Sequence, residues 1–195
     1  MLTISDIDMM IGPAGRYEPR WGYHDQHRDA DGTEDYLPAL QQVRMELAGL
    51  LNELLLARLA EGKCLQLGLG ECQASHDVWN TAFLQGAITI DRGRCLIGDA
   101  ELQGADTRDS RALGIAARGA PYDLLIIDAG HTYADVELDH KAYGPYVRKG
   151  GIIAFHDAVQ RHGPQFESLE VWRYLETLSD VRKIGSEVGW ALIRT

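Results

Sequence analysis

The sequence predicts an α/β protein built on a doubly wound, mainly parallel sheet of about seven strands with helices on both faces. Short apolar segments of strand length alternate along the chain with longer segments of helical periodicity, which is typical of such sheets. The segment 124–127, with the sequence LLII, is continuously apolar, as expected of a strand that helices cover on both sides. A glycine-containing turn follows the first predicted strand, at the edge where ligands approach a parallel sheet.

The elements follow in order after an irregular N-terminal segment. Residues 1–36 show no sustained period and are expected to form an extension that either packs its aromatic side chains on the domain or closes over a substrate as a lid. Residues 37–195 are expected to form a single domain that begins with a helix running from near Pro38 to Gly62. Predicted strands cover 63–67, 87–91, 94–98, 122–128 and 151–155, and two closing strands end the chain, the second over 190–193. Predicted helices cover 75–85, 106–118, 133–147 and 165–178.

The composition limits the class of partner. The 195 residues carry a formal net charge of −10, with 45% hydrophobic and 25% charged residues. A binder of DNA or RNA usually has a basic surface, and an anionic membrane attracts basic segments, so neither partner is expected. The three cysteines, Cys64, Cys72 and Cys95, form no CxxC pair, which argues against a disulfide framework or a zinc site. We expect a small-molecule substrate and a cytoplasmic location, because the N-terminus lacks the features of a signal peptide. The sequence leaves the oligomeric state open, with a homodimer as one alternative.

The turn after the first predicted strand has the sequence Gly68-Leu69-Gly70. Glycines let a ligand approach the backbone closely, and the free N–H groups of the following helix face the same crevice. A dinucleotide fingerprint would place a third glycine where Gln73 stands, which argues against NAD or FAD. The turn suits S-adenosylmethionine better, because this methyl donor has no pyrophosphate. An ordinary strand-to-helix turn is the alternative interpretation.

Acidic residues follow the next two predicted strands. Asp91 ends the second strand, at a distance from the glycines where a carboxylate typically accepts hydrogen bonds from ribose hydroxyls. A helix cap or a turn is the alternative role for this aspartate. Asp99, after the third strand, is expected next along the same edge and is a candidate for binding the adenine amino group. Glu101 is an equally good candidate for that contact.

Ionisable residues also follow two later strands that are expected to be neighbours. Asp128 and His131 come after the strand 122–128, and His156 and Asp157 come after the strand 151–155. Because adjacent strands lie about 4.8 Å apart, the two carboxylates should converge, and a divalent cation such as Mg²⁺ would remove their repulsion. The histidines can supply a ligand, a base or a supporting hydrogen bond. Alternatively, the histidines cap strand ends and Asp157 only starts a turn.

These motifs together resemble a known family. The segments CLQLGLG, AITID and YDLLIIDAGHTYADVELDHKAYGPYVRKGGIIAFHDA are similar to the class I S-adenosylmethionine-dependent methyltransferases, which are Rossmann-like. The last segment resembles most the branch with cephalosporin-hydroxylase-like and sugar O-methyltransferases, which commonly has D-G-D-H-x-Y after one strand and G-G-x-x-x-x-H-D around the next. The resemblance covers roughly residues 60–160.

The resemblance implies roles for residues of this chain. Members of that branch often hold a divalent metal at the two strand ends, so Asp128 and Asp157 would be metal ligands with His156 beside them. Gly68 and Gly70 would contact the methionine part of the donor, and Asp91 its ribose.

Three departures from the family pattern bear on those roles. Gln66 stands where an acid is common, and Cys72 and Gln73 stand where the family has further glycines. Gly130 replaces the second acid of D-G-D, which leaves His131 as the candidate substitute base.

The sequence therefore predicts an S-adenosylmethionine-dependent methyltransferase that acts on a small molecule at an oxygen, with Mg²⁺ as a candidate second cofactor. His131 is the expected general base, and Asp128 lies beside it at the reacting centre. Transfer to a substrate that is already ionised would need only proximity. Two other classes stay open: a non-catalytic module that binds S-adenosylmethionine or a nucleoside, and an NAD-dependent oxidoreductase. The charged residues of the helix over 133–147 are expected to form a mostly solvated face.

Overall fold

The computed structural model describes residues 49–50, 52–54, 61–69, 74–160, 170–184 and 189–195. The predicted extension over 1–36 and Gly70 lie outside the described residues, so the division of the chain at residue 36 stays a prediction. Helical residues at 49–50 and 52–54 fall within the helix predicted to precede Gly62.

The described residues form eight strands and four α-helices. The strands are β1 (Cys64–Leu67), β2 (Ala87–Ile90), β3 (Arg94–Ile97), β4 (Ala100–Gln103), β5 (Tyr122–Ile127), β6 (Val147–Phe155), β7 (Arg182–Ile184) and β8 (Trp190–Arg194). The helices are α1 (Ala74–Ala82), α2 (Ser110–Gly119), α3 (Tyr133–Tyr143) and α4 (Val171–Leu175), and a 3₁₀ turn over Gly144–Tyr146 follows α3.

All eight strands belong to one sheet with the order β4-β3-β2-β1-β5-β6-β8-β7. Its centre is parallel, because β1 pairs in parallel with β2 and β5, and β5 pairs in parallel with β6. Both flanks are antiparallel, so the sheet is mixed rather than mainly parallel, and the predicted number of about seven strands is one too low. The unpredicted strand is β4, whose four residues are all exposed and therefore give little hydrophobic signal.

The direction of β3 corrects an assumption made from the sequence. Only residues 91–93 separate β2 from β3, and a parallel pair needs a crossover of about a dozen residues or more. The two strands therefore form an antiparallel hairpin, in which Ile88 pairs with Ile97. The end of β3 consequently lies at the amino edge of the parallel strands, opposite the edge where β1, β2 and β5 end.

Helices pack on both faces of the sheet centre. Alternate residues of β1 and β5, among them Leu65 and Leu125, face a core cluster that contains buried residues of α2, α3 and α4. The intervening residues, such as Leu124 and Ile126, face a second cluster with Trp79 and Phe83. Every residue of β5 is buried, as its apolar sequence predicts. The doubly wound connection pattern stays a prediction.

Helix α3 is positioned by clear end signals. Thr132 precedes it, and its hydroxyl accepts a hydrogen bond from the backbone N–H of Asp135. The helix ends at Tyr143, earlier than the predicted residue 147, because Pro145 has no N–H to continue the hydrogen-bond pattern. In the part of the chain that the structure describes, no helix is long and apolar enough to cross a membrane.

Candidate functional site

The turn after β1 brings two strand ends into backbone contact. Gly68 has a φ of +87°, and a Cβ built there would lie 1.9 Å from the carbonyl oxygen of Asp128. Only glycine fits this position, since the backbone of β1 passes against the backbone that leaves β5. Gln66 supports the turn, because its Nε2 donates a hydrogen bond of 2.7 Å to the carbonyl of Gly68. An acid at position 66, as is common in the family, would be ionised and could not donate that bond. Gln66 therefore stabilises the turn of this chain in a way that the acid would not.

Asp91 is held at the end of β2 by two backbone groups. The N–H of Leu69 donates to its Oδ2 at 3.0 Å, and the N–H of Gly93 donates to its Oδ1 at 2.8 Å. These two contacts orient the Asp91 carboxylate at the carboxyl end of β2. The bond from Leu69 also holds Asp91 next to the glycine turn, so one ligand could contact both.

An open cleft of about 630 Å³ runs along this edge of the sheet. Gly68 and Asp91 form part of its wall, together with residues 105 and 107–108 of the loop after β4. The opposite wall comes from Ala129, Gly130 and the face of α3 that carries Asp135, Leu138 and Asp139. That figure includes space open to solvent, and the part that is comparable to a cavity volume is about 200 Å³.

Four side chains converge just beyond the cleft, and we call Asp128, His131, His156 and Asp157 the His/Asp cluster. The Nε2 atom of His131 lies 3.0 Å from Oδ2 of Asp157 and 3.7 Å from Oδ1 of Asp128. The Nδ1 atom of His156 lies 3.1 Å from Oδ1 of Asp128 and 3.3 Å from Oδ2 of Asp157. The convergence expected from the two neighbouring strands is therefore present, while the chemical role of each residue stays a prediction.

The backbone fixes where these side chains point. The N–H of Asp128 bonds to the carbonyl of Leu67, and the N–H of His156 bonds to that of Ile127, so both loops leave the sheet in register. Asp157 adopts a φ of 53°, a left-handed conformation that aspartate tolerates better than most residues. The N–H of Glu170 donates to the carbonyl of His131 at 2.8 Å, which ties the β5–α3 loop to the start of α4.

The histidines determine the charge state of Asp128. Burial alone would raise the pKa of this carboxyl, but the charges of His156 and His131 and the close approach of both rings hold the pKa well below its usual range. Asp128 is therefore an anion at neutral pH. The Nδ1 atom of His156 is buried and forms no hydrogen bond of good geometry with a described residue, although two acidic oxygens lie near it.

Three members of the cluster could hold a metal ion. Asp128, His131 and Asp157 each offer one ligand atom, and these atoms all lie within 4.8 Å of one another. The sequence placed His156 in this set instead of His131. Both histidines approach the same two acids, and the grouping by distance favours His131.

Asp99 lies outside the cleft, and its expected contact with adenine stays a prediction. It follows β3, which runs antiparallel to β2, so it lies at the amino edge of the parallel strands near the start of β2. Its Oδ1 accepts a hydrogen bond of 3.4 Å from Nδ2 of Asn80. The alternative, Glu101, lies on exposed β4, where it contacts Arg94 at 3.4 Å.

Sequence reasoning also missed a residue of the cleft. Asp139 was assigned to a solvated face of α3, but it is 1% exposed and lines the cleft. Its spacing of four residues from Asp135 places both on one side of the helix, which is the signal that could have identified it. Asp135 also explains Gly130, because a Cβ at position 130 would lie 2.4 Å from Cβ of Asp135.

Comparison with known proteins identifies the class. A family described as a methyltransferase domain matches residues 52–158, which is more than half of the chain. The chain therefore belongs to this methyltransferase family, and the class predicted from its motifs is confirmed. No curated protein matches the chain in sequence.

Solved structures share the fold. The MycE methyltransferase from the mycinamycin biosynthetic pathway is 22% identical, with a TM-score of 0.55, and covers 75% of this chain. The chain spans about half of MycE, since the match covers 48% of that protein. The cofactor-bound Rv0187 from MTB is 15% identical with a TM-score of 0.52, covering 98% of this chain and 97% of its own. A TDP-rhamnose 3'-O-methyltransferase of calicheamicin biosynthesis is 15% identical with a TM-score of 0.51, covering 97% and 93%.

Proposed function

We propose that this protein transfers a methyl group from S-adenosylmethionine to an oxygen of a small molecule, with a divalent metal assisting. One observation carries the proposal: the cleft and the His/Asp cluster share a wall. Ala129 and Gly130 line the cleft, and the residues on either side of them, Asp128 and His131, belong to the cluster. A ligand in the cleft therefore lies next to the acids and the imidazoles.

The cleft fits the methyl donor. Gly68 lines the cleft with backbone alone, because the backbone of Asp128 occupies the place of a Cβ, and the Asp91 carboxylate is the kind of acceptor to which ribose hydroxyls donate. When bound, S-adenosylmethionine supplies a sulfonium methyl group that an ionised oxygen can attack. The S-adenosylhomocysteine-bound state of MycE supports this choice of ligand.

The cluster fits a hard divalent cation. Asp128 and Asp157 would hold Mg²⁺ through carboxylate oxygens, with His156 as the third ligand, which leaves His131 to act as a base. A metal there lowers the pKa of a bound hydroxyl and orients it. MycE was crystallised with Mg, S-adenosylhomocysteine and mycinamycin VI, which supports both the metal and a small-molecule acceptor.

His131 is the proposed general base. Its Nε2 faces Asp157 and Asp128, so the Nδ1 nitrogen is left to accept the proton of an acceptor hydroxyl. Its side chain is 35% exposed, which gives a substrate access to the ring.

Two measurements test the proposal. Isothermal titration calorimetry should show binding of S-adenosylhomocysteine and no binding of NAD. Purified protein with methyl-labelled S-adenosylmethionine and Mg²⁺ should then label members of a panel of small molecules that includes TDP-rhamnose and mycinamycin VI, and EDTA should reduce that labelling. Binding of NAD without S-adenosylhomocysteine would refute the donor assignment. Donor binding without any labelled product would instead support the non-catalytic module.

A further inference from the structure

Asp139 is a buried acid for which the described protein supplies no hydrogen bond of good geometry. The residue is 1% exposed, and neither of its carboxylate oxygens has a hydrogen-bond partner among the described residues. It nevertheless lines the cleft, on the same side of α3 as Asp135. Buried carboxylates are normally paired, because removing an ionised group from water without compensation is costly.

The groups around Asp139 do not offset the effect of burial on its pKa. Burial raises its pKa to about 6, and the charges of Asp135 and Asp106 add to that effect. The Thr107 hydroxyl and the Arg108 guanidinium lower the pKa of Asp139, but not enough to restore its ordinary value. A buried acid of this kind suggests that its hydrogen-bond partner belongs to a ligand and is present only when that ligand occupies the cleft.

The position of Asp139 indicates which part of a ligand it meets. Helix α3 leads away from His131, and Asp139 lies six residues after the start of the helix at Tyr133, about 9 Å along its axis. Its neighbour Thr107 belongs to the loop after β4, and the N–H of Ala105 in that loop donates to the carbonyl of Asp91, on the side of β1 away from β5. A nucleoside with its ribose on Asp91 and its sulfur towards the cluster directs its base to this end.

We propose that Asp139 accepts a hydrogen bond from the exocyclic amino group of adenine and so makes the cleft selective for adenosyl over inosyl ligands. This inference rests on the proposed donor. An inosyl base carries an oxo group where adenine carries the amino group, so it would place an acceptor against the carboxylate. The two acceptors repel, and the ligand loses affinity.

The test compares two probes, S-adenosylhomocysteine and S-inosylhomocysteine, by isothermal titration calorimetry at pH 8. Wild-type protein should bind the adenosyl probe at least tenfold more tightly. Asp139→Asn presents an N–H group that the oxo group can accept, so its preference should fall below twofold or reverse. Asp139→Leu should weaken the adenosyl probe and also remove the preference. Glu137→Gln is the matched control, since Glu137 lies on α3 and pairs with Lys141 outside the cleft. It should retain the wild-type preference.

Thermal melting of the ligand-free variants distinguishes ligand binding from a structural role. Asp139→Asn should melt at or above the wild-type temperature, because it removes a buried charge that has no partner. Equal binding of both probes by the wild type, or an Asp139→Asn variant that melts lower and keeps the preference, would overturn the inference and leave the donor assignment intact. If neither probe binds to the wild type, the donor assignment itself fails.

Discussion

The two edges of the parallel strands use buried acids in opposite ways. At the amino edge, Asp123 of β5 is 8% exposed and fully engaged: the N–H of Lys63 donates to Oδ2 at 2.9 Å, and Nε of Arg148 donates to Oδ1 at 2.6 Å. At the carboxyl edge, Asp139 is 1% exposed with no hydrogen bond to a described residue, and Asp128 shares its two histidines with Asp157. Asp123 and Asp139 are similarly buried, so the supply of partners, not burial, separates the structural acid of the amino edge from Asp139.

The largest effect should come from His131→Ala, which removes the proposed base at the carboxyl edge. We expect donor-dependent turnover to fall about 10²- to 10⁴-fold, because general bases typically contribute that much. The affinity for S-adenosylhomocysteine should change less than about threefold, since His131 does not line the cleft. Single-turnover rates and calorimetry on the same preparation measure both quantities. An unchanged rate would show that the acceptor arrives already ionised or that another group removes the proton.

Asp123→Ala should give the opposite profile at the amino edge. The variant loses a charge-assisted bond from Arg148 and leaves the N–H of Lys63 without its acceptor, so unfolding should become easier by about 2–4 kcal/mol. Urea denaturation checks this value. The folded protein should bind S-adenosylhomocysteine within twofold of wild type. A loss below about 1 kcal/mol would mean that the contrast between the edges is weaker than the contacts indicate.

Asp139→Asn should stabilise the ligand-free protein, and the gain should depend on pH. The pKa of Asp139 is raised from 3.8 to about 6 in the folded state, so the folded protein binds this proton more readily than the unfolded chain. The stability that protonation provides is present below pH 4 and is lost as the pH rises through 6. The asparagine of the variant does not ionise, so the variant does not lose this stability. Its free energy of unfolding should therefore exceed that of the wild type by an amount that grows from near zero at pH 4 to about 1–3 kcal/mol at pH 8.

Denaturation curves at both pH values measure that difference. The neighbouring Asp106, Asp135 and Arg108 are the same in both proteins, so their titration largely cancels. An advantage that is constant with pH would show that the ionisation of Asp139 has no part in it.

The sequence predicted those features that depend on local pattern. The apolar segments that become β5 and β6 are neighbours because a single helix joins them, and this was enough to bring Asp128 and Asp157 together. The short connection of residues 91–93 also forbids a parallel β3, and that local signal was overlooked.

The burial of Asp139 could not be predicted in this way. It results from packing against the loop after β4, where the hydroxyl of Tyr143 donates a bond of 2.5 Å to the carbonyl of Thr107. Tyr143 and Thr107 are 36 residues apart in the chain. The periodicity of α3 therefore carries no information about this contact. Charge pattern alone therefore assigned an acid of the cleft to solvent.

The smallest effect should come from Asp99→Asn, and it tests whether position along the edge decides function. Asp99 follows an antiparallel strand and lies at the amino edge, so its change should leave S-adenosylhomocysteine affinity within twofold and stability within about 0.5 kcal/mol. Asp91→Asn is the matched variant at the carboxyl edge. Its new N–H group would face the N–H of Leu69 or Gly93, and we expect a loss of tenfold or more in the same calorimetric assay. Asp91 and Asp99 both follow a strand, but the two strands run in opposite directions. If the two variants lost affinity equally, strand direction would not explain why only Asp91 binds the ligand.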